Sequence, residues 1–215
     1  METQRYLNLI DRELKQLPDF VSEYQLGTRH SLTTSYQYLT ELRRFFTWLR
    51  KTGLSKATDN AHVTTAELEK LRRNDIIQFI DDLAHTKNAQ QRLNSPTTIN
   101  RSINALRSLF KYLTVTADIN GGQPYFERNV MLKIDSLNDT KTLNYRAHVL
   151  EAKMYTGQLK YDFLTFLDQE YEQKCDPRAR TAFEKNKERD IALVALILGT
   201  GIRVSETAGV DVNDL

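Results

Sequence analysis

Between Pro96 and Thr114 the apolar residues fall at alternating spacings of four and three, and this pattern constrains the chain more than any other. Ile99, Ile103, Leu106, Phe110 and Leu113 share one side of a helix. Ser95 stands where an N-cap is needed, and Pro96 takes the first helical position, where its missing N–H is not used. The same period recurs upstream. Leu39, Leu42, Phe45, Phe46 and Leu49, with Trp48 beside them, predict a helix from Thr34 to Thr52, capped by Thr34 and stopped at Gly53. Ile76, Phe79, Ile80 and Leu83 predict another from Asn74 to Thr86, with Asn74 as cap. Leu7, Ile10, Leu14 and Leu17 predict a short helix over residues 4–16, ended near Pro18. Further helices are expected around Thr65 to Arg72, from Tyr125 to Ile134 and from Leu159 to Tyr171. The polar stretches 87–94 and 117–124 read as loops. The expected fold class is all-α, a helical bundle followed by a second helical region.

Domain limits follow from composition. Residues 135–147 are polar and irregular and are taken as a linker. This leaves a first domain over 1–134 and a second over 148–215. Residues 1–150 carry 21 basic against 16 acidic side chains, a net of +5, whereas 151–215 carry 9 against 12, a net of −3. A basic first part beside an acidic one fits a nucleic-acid-binding domain joined to something else. The single cysteine, Cys175, excludes an internal disulfide framework and a cysteine-based zinc site. The N-terminus alternates charged with apolar residues and lacks the apolar core of a signal peptide, so a cytoplasmic location is expected.

Three basic groups stand out on the helices. Arg43 and Arg44, with Arg50 and Lys51, edge the first long helix, and Arg72 and Arg73 precede the next. On the helix from Pro96, Asn100, Asn104, Arg107 and Lys111 recur at spacings of four, three and four, with Arg101 adjacent. Amides and guanidinium groups on one face suit base edges and phosphates. A solvated polar face would show the same residues.

Near the end, Ile191 to Leu198 has no polar face and predicts a helix buried on all sides, far shorter than a membrane span. Gly199 and Gly201 permit a tight turn after it. Arg203 and Glu206, at i,i+3, can then share a face, with the guanidinium fork suited to two phosphate oxygens.

That stretch, Thr200-Gly201-x-Arg203-x-Ser205-Glu206 followed by Asp214-Leu215, resembles the first conserved box of the tyrosine recombinases, the family of phage-type integrases and Xer proteins. Thr207 and Val210 stand where that family usually has leucines. Thr34-x3-Tyr38-x3-Leu42-x2-Phe45-x2-Trp48-Leu49 resembles the first helix of the family's core-binding domain. Thr97-Thr98-Ile99-Asn100-Arg101, followed by Ala105-Leu106-Arg107-Ser108-Leu109-Phe110-Lys111-Tyr112-Leu113, resembles its fourth, which enters the major groove. Gly122-x-Pro124-Tyr125-Phe126-x-Arg128-Asn129-Val130-Met131 and Phe183-x-Lys185-Asn186-Lys187-Glu188-Arg189-Asp190 narrow the resemblance to the branch of Xer recombinases that works as a single protein.

The resemblance implies a SAM-like core-binding bundle and the helical start of a catalytic domain. It implies DNA contacts from Arg43, Arg44, Arg72, Arg73, Thr97, Asn100, Arg101, Asn104, Arg107 and Lys111. It also implies that Arg203 contacts the scissile phosphate, supported by Glu206. The family acts on double-stranded DNA at a dif-like site as a homotetramer, in chromosome dimer resolution coupled to division, with a DNA translocase as a possible partner. Its tyrosine nucleophile forms a phosphotyrosyl link, so neither metal nor other cofactor is expected, and no membrane. All ten tyrosines here precede Arg203, and no histidine has arginine three residues on. The chain therefore reads as a fragment without the nucleophile, inactive alone. Two other classes stay open: a DNA-binding module that occupies a half-site without cutting, and a helical protein-interaction module.

Overall fold

The structure is a computed structural model that describes residues 2–87, 91–119, 121–137 and 143–211. It divides into two compact units, Met1–Thr140 and Lys141–Leu215.

The first unit is a helical bundle, with isolated β-bridges as its only extended pairing among the described residues. α1 (Glu2–Leu14) packs against α3 (Leu32–Lys51), which packs in turn against α6 (Pro96–Lys111). α2 (Asp19–Gly27) contributes Phe20, Val21 and Tyr24 to the core; three apolar residues in so short a stretch leave little periodicity to read. α4 (Thr65–Glu69) and α5 (Arg73–His85) complete the helices of this unit, the latter against α6. Aromatic rings knit the interior. Phe20 meets Phe46 edge-on at 6.1 Å, Phe45 meets Phe79 at 5.0 Å, and Phe110 meets Phe126 at 6.0 Å.

The caps explain where the helices begin. Ser95 Oγ accepts the Thr98 N–H and Pro96 sits at the helix start, as expected. α3 begins earlier than expected, because Ser31 Oγ accepts the Thr34 N–H and takes the capping role assigned to Thr34. α5 starts at Arg73 rather than after Asn74, since the Asp75 carboxylate accepts the Arg72 N–H at 2.7 Å. The stretch 54–73, a polar insertion leading from α3 to α5, is pinned by Glu67. Its carboxylate takes the Thr64 and Lys56 N–H groups and the Ser55 hydroxyl. Partial burial pulls that carboxyl upward, but those hydrogen bonds outweigh it and hold Glu67 below its usual range.

α6 passes at Lys111 into a π-helical turn, Tyr112–Thr116. The helix expected from Tyr125 to Ile134 is reduced to a 3₁₀ turn, Val130–Lys133, whose start is set by Asn129 accepting the Met131 N–H.

Tyr24 is 1% exposed, and its hydroxyl donates to Ser108 Oγ on α6 at 2.9 Å. Burial pushes the phenol from 10.0 up to about 12, although the Ser108 bond pulls the other way. A raised folded-state value means that this stability is whole below pH 10 and is lost as pH rises through about 12. We therefore expect Tyr24→Phe to flatten the fall in melting temperature between pH 10 and 12. Tyr125, also pushed up, leaves a residual slope. Equal slopes in both proteins would contradict the assignment.

In the second unit, α7 (Leu143–Glu151) begins inside the stretch read as linker, so residues 143–147 are helical rather than irregular. Residues 138–142 of that stretch lie outside the described residues, as do 88–90 and 120 of the two loops. α8 (Gln158–Gln169) and α9 (Tyr171–Lys174) precede α10 (Pro177–Thr200), and α11 (Val204–Thr207) follows. Asp176 caps α10 by accepting the Arg178 and Ala179 N–H groups. Tyr171 packs edge-on against Phe183 at 4.8 Å. The Ile191 to Leu198 run, expected to be buried on every side, is the last part of α10 and is only partly covered. The partners of α10 within the unit are α8, α9 and α11, and Leu193 stays 38% exposed. Among the described residues, no helix is long and apolar enough to cross a membrane.

Candidate nucleic-acid interface

α3 and α5 flank an open groove of about 460 Å³ lined in part by Arg43, Arg44, Lys51, Trp48 and Asp82. Trp48 forms its wall, donating Nε1 to Asp82 at 2.6 Å and standing edge-on to Phe79 at 5.3 Å. The two arginines are not loose. Arg43 Nε donates to Glu13 of α1 at 2.6 Å, and Arg44 Nη1 to Glu41 at 3.0 Å. Both carboxylates are buried, Glu13 to 7% and Glu41 to 5% exposure, whereas the arginine side chains keep 38% and 43%. Glu41 also accepts the buried Ser102 hydroxyl from α6 at 2.5 Å. A fixed carboxylate behind a guanidinium leaves the outer donors aimed outward. Arg50 is spent differently, tying α3 to the insertion through Ala57, Thr58 and Asn60.

On α6 the expected polar face splits in two. Thr97, Arg101, Asn104 and Lys111 form an exposed stripe. Asn100 and Arg107 turn aside to residues 134–137, Asn100 through its amide nitrogen and oxygen and Arg107 through both Nη groups, and Arg107 Nη1 also reaches Asn104 Oδ1 at 3.4 Å. Arg73 does the same, its Nε donating to the Lys133 carbonyl at 3.1 Å, while the Arg72 side chain stays exposed. The buried partners Glu13, Glu41 and Ser102 escape a search for basic residues. Glu41 does leave a signal, being an acid amid an apolar stripe three residues before Arg44.

In the second unit, Gly201 ends α10 with φ 72°, the left-handed geometry that favours glycine, and its N–H donates to Ile197 O at 2.8 Å. Gly199 remains helical, so the turn rests on one glycine rather than two. Glu206 grips Arg203 twice, accepting its backbone N–H and its Nη1, each at 2.8 Å. Those two bonds, the backbone one first, hold the Glu206 carboxyl below its usual range. Thr207, buried where the related box has leucine, donates its hydroxyl to Arg203 O at 3.1 Å. The Arg203 side chain is 81% exposed. Asp214 and Leu215 lie outside the described residues.

Residues 17–117 match the N-terminal SAM-like domain of phage integrases. The whole chain aligns with tyrosine recombinase XerS of Streptococcus mutans serotype c at 43% identity over 224 residues. It aligns with tyrosine recombinase XerS of Streptococcus pneumoniae strain Hungary19A-6 at 39% over 222 residues. The chain spans 62% of the length of each of these relatives. No solved structure matches.

Proposed function

We propose that the chain belongs to the tyrosine recombinase family and serves site-specific DNA recombination of the Xer type, with the first unit as the core-binding domain that grips duplex DNA. The observation that carries this reading is the brace through Glu41. One buried carboxylate joins Arg44 on α3 to Ser102 on α6, next in sequence to the exposed Arg101. Two helices are thereby locked together with their arginines facing outward. Arg43, Arg44, Arg72 and Lys111 would meet phosphates, with Lys51 added from the groove, while Thr97, Arg101 and Asn104 reach base edges.

In this reading the second unit is the start of the catalytic domain. Arg203, held by Glu206 through one nitrogen, keeps its other donors for two oxygens of the scissile phosphate, where negative charge builds in the transition state. Double-stranded DNA with a dif-like site is the partner, a homotetramer the working assembly, a DNA translocase of cell division the activator, and the cytoplasm the location.

Salt tests the electrostatic half of the reading. For a labelled duplex, the logarithm of the binding constant should fall linearly with the logarithm of salt concentration, with a slope set by the phosphates neutralised. Binding that does not change with salt would argue against these arginines.

A further inference from the structure

The end of the 3₁₀ turn and the residues after it, Lys133 to Leu137, are held by side chains from two helices. Arg73, at the start of α5, donates Nε to the Lys133 carbonyl at 3.1 Å. Arg107 of α6 sends Nη2 to the Ile134 carbonyl and Nη1 to Ser136 Oγ at 2.7 Å. Asn100, earlier on α6, closes a reciprocal pair with Leu137. Its Nδ2 donates to the Leu137 carbonyl at 2.9 Å, and its Oδ1 accepts the Leu137 N–H at 2.8 Å. Ile134, 5% exposed, anchors the apolar side of the same stretch. All but one of the partners are main-chain groups, so the contacts fix the path of the backbone rather than its side-chain identity.

We infer that Arg73, Asn100 and Arg107 are positioning residues that fix where the chain leaves the first unit, and that they keep this grip while DNA is bound. The grip itself stands apart from the proposed function; only its persistence on DNA rests on that reading. The geometry opposes double use. Reading an adenine takes both the donor and the acceptor of an asparagine amide, and reading a guanine takes two donors of an arginine. Asn100 already directs its amide nitrogen and oxygen at Leu137, and Arg107 directs both Nη groups at Ile134 and Ser136, so turning either side chain to a base would break these bonds.

Hydrogen exchange at the Leu137 amide reads the grip directly, because that N–H donates to the Asn100 side chain. We expect slow exchange in the 215-residue chain and exchange roughly tenfold faster in Asn100→Ala. Asn100→Asp keeps an acceptor for this N–H and should restore most of the protection. Amides within α6 should stay protected in all three proteins, which separates a lost grip from a lost fold. Saturation with a dif-like duplex should leave the Leu137 amide protected, and Asn100→Ala should still prefer that duplex over a scrambled one. Fast exchange in the free chain would overturn the inference, as would deprotection on adding DNA or loss of sequence preference in Asn100→Ala. Should no DNA bind, the proposed function fails, and exchange in the free chain and in Asn100→Ala still decides whether the grip exists.

Discussion

Phe46→Ala is expected to destabilise the first unit by about 3–5 kcal/mol, the range for truncating a buried aromatic. Phe46 is 0% exposed, edge-on to Phe20 of α2 at 6.1 Å and beside Phe45 at 5.9 Å. Truncation removes transfer free energy and leaves a cavity between two helices that cannot both collapse into it. Against a total stability of about 5–15 kcal/mol, a loss of this size takes much of the margin. Urea unfolding should show a lower midpoint with an unchanged slope. DNA binding should weaken in step as the folded population falls. Leu132→Ala is the control: at 84% exposure, it should stay within about 0.5 kcal/mol of the parent. A loss under about 1 kcal/mol for Phe46→Ala would contradict the packing of α2 on α3.

Arg101→Ala is expected to weaken binding to the recombination site by about 1–3 kcal/mol, roughly five- to 150-fold, with little change on a scrambled duplex. Arg101 is exposed on the α6 stripe, with no ion pair or side-chain hydrogen bond among the described residues. Lys111→Ala, lower on the same helix, should instead weaken both duplexes alike and reduce the salt slope by about one. The two substitutions thus separate base reading from phosphate contact. Equal loss on both duplexes for Arg101→Ala would reassign it to the backbone. No loss on either would remove it from the interface.

What could be read from the sequence divides along the distance between interacting residues. The helices over 34–52, 74–86 and 96–114 were legible because their stripes and caps are local, as Ser95 and Pro96 illustrate. The Arg203–Glu206 pair was legible for the same reason, since three residues on a helical turn bring the two groups together. The fate of Asn100 and Arg107 was not. Their spacing is right for a shared polar face, but their partners lie 27 to 37 residues on, in a stretch without periodicity. Glu13 holds Arg43 across 30 residues, another pairing no local pattern reveals. α2 escaped because three buried residues in a short helix make too weak a stripe. Burial was overestimated for Ile191 to Leu198, because an all-apolar run states a need for partners and not their presence.

The most direct test of the account is a competition gel shift of the 215-residue chain on a dif-like duplex against a scrambled duplex, at low and moderate salt. Preference for the dif-like duplex is expected at both salts, with weaker affinity for both duplexes at the higher one. Equal affinity for the two duplexes, or no shifted band at low salt, would contradict a first unit built to recognise a recombination site.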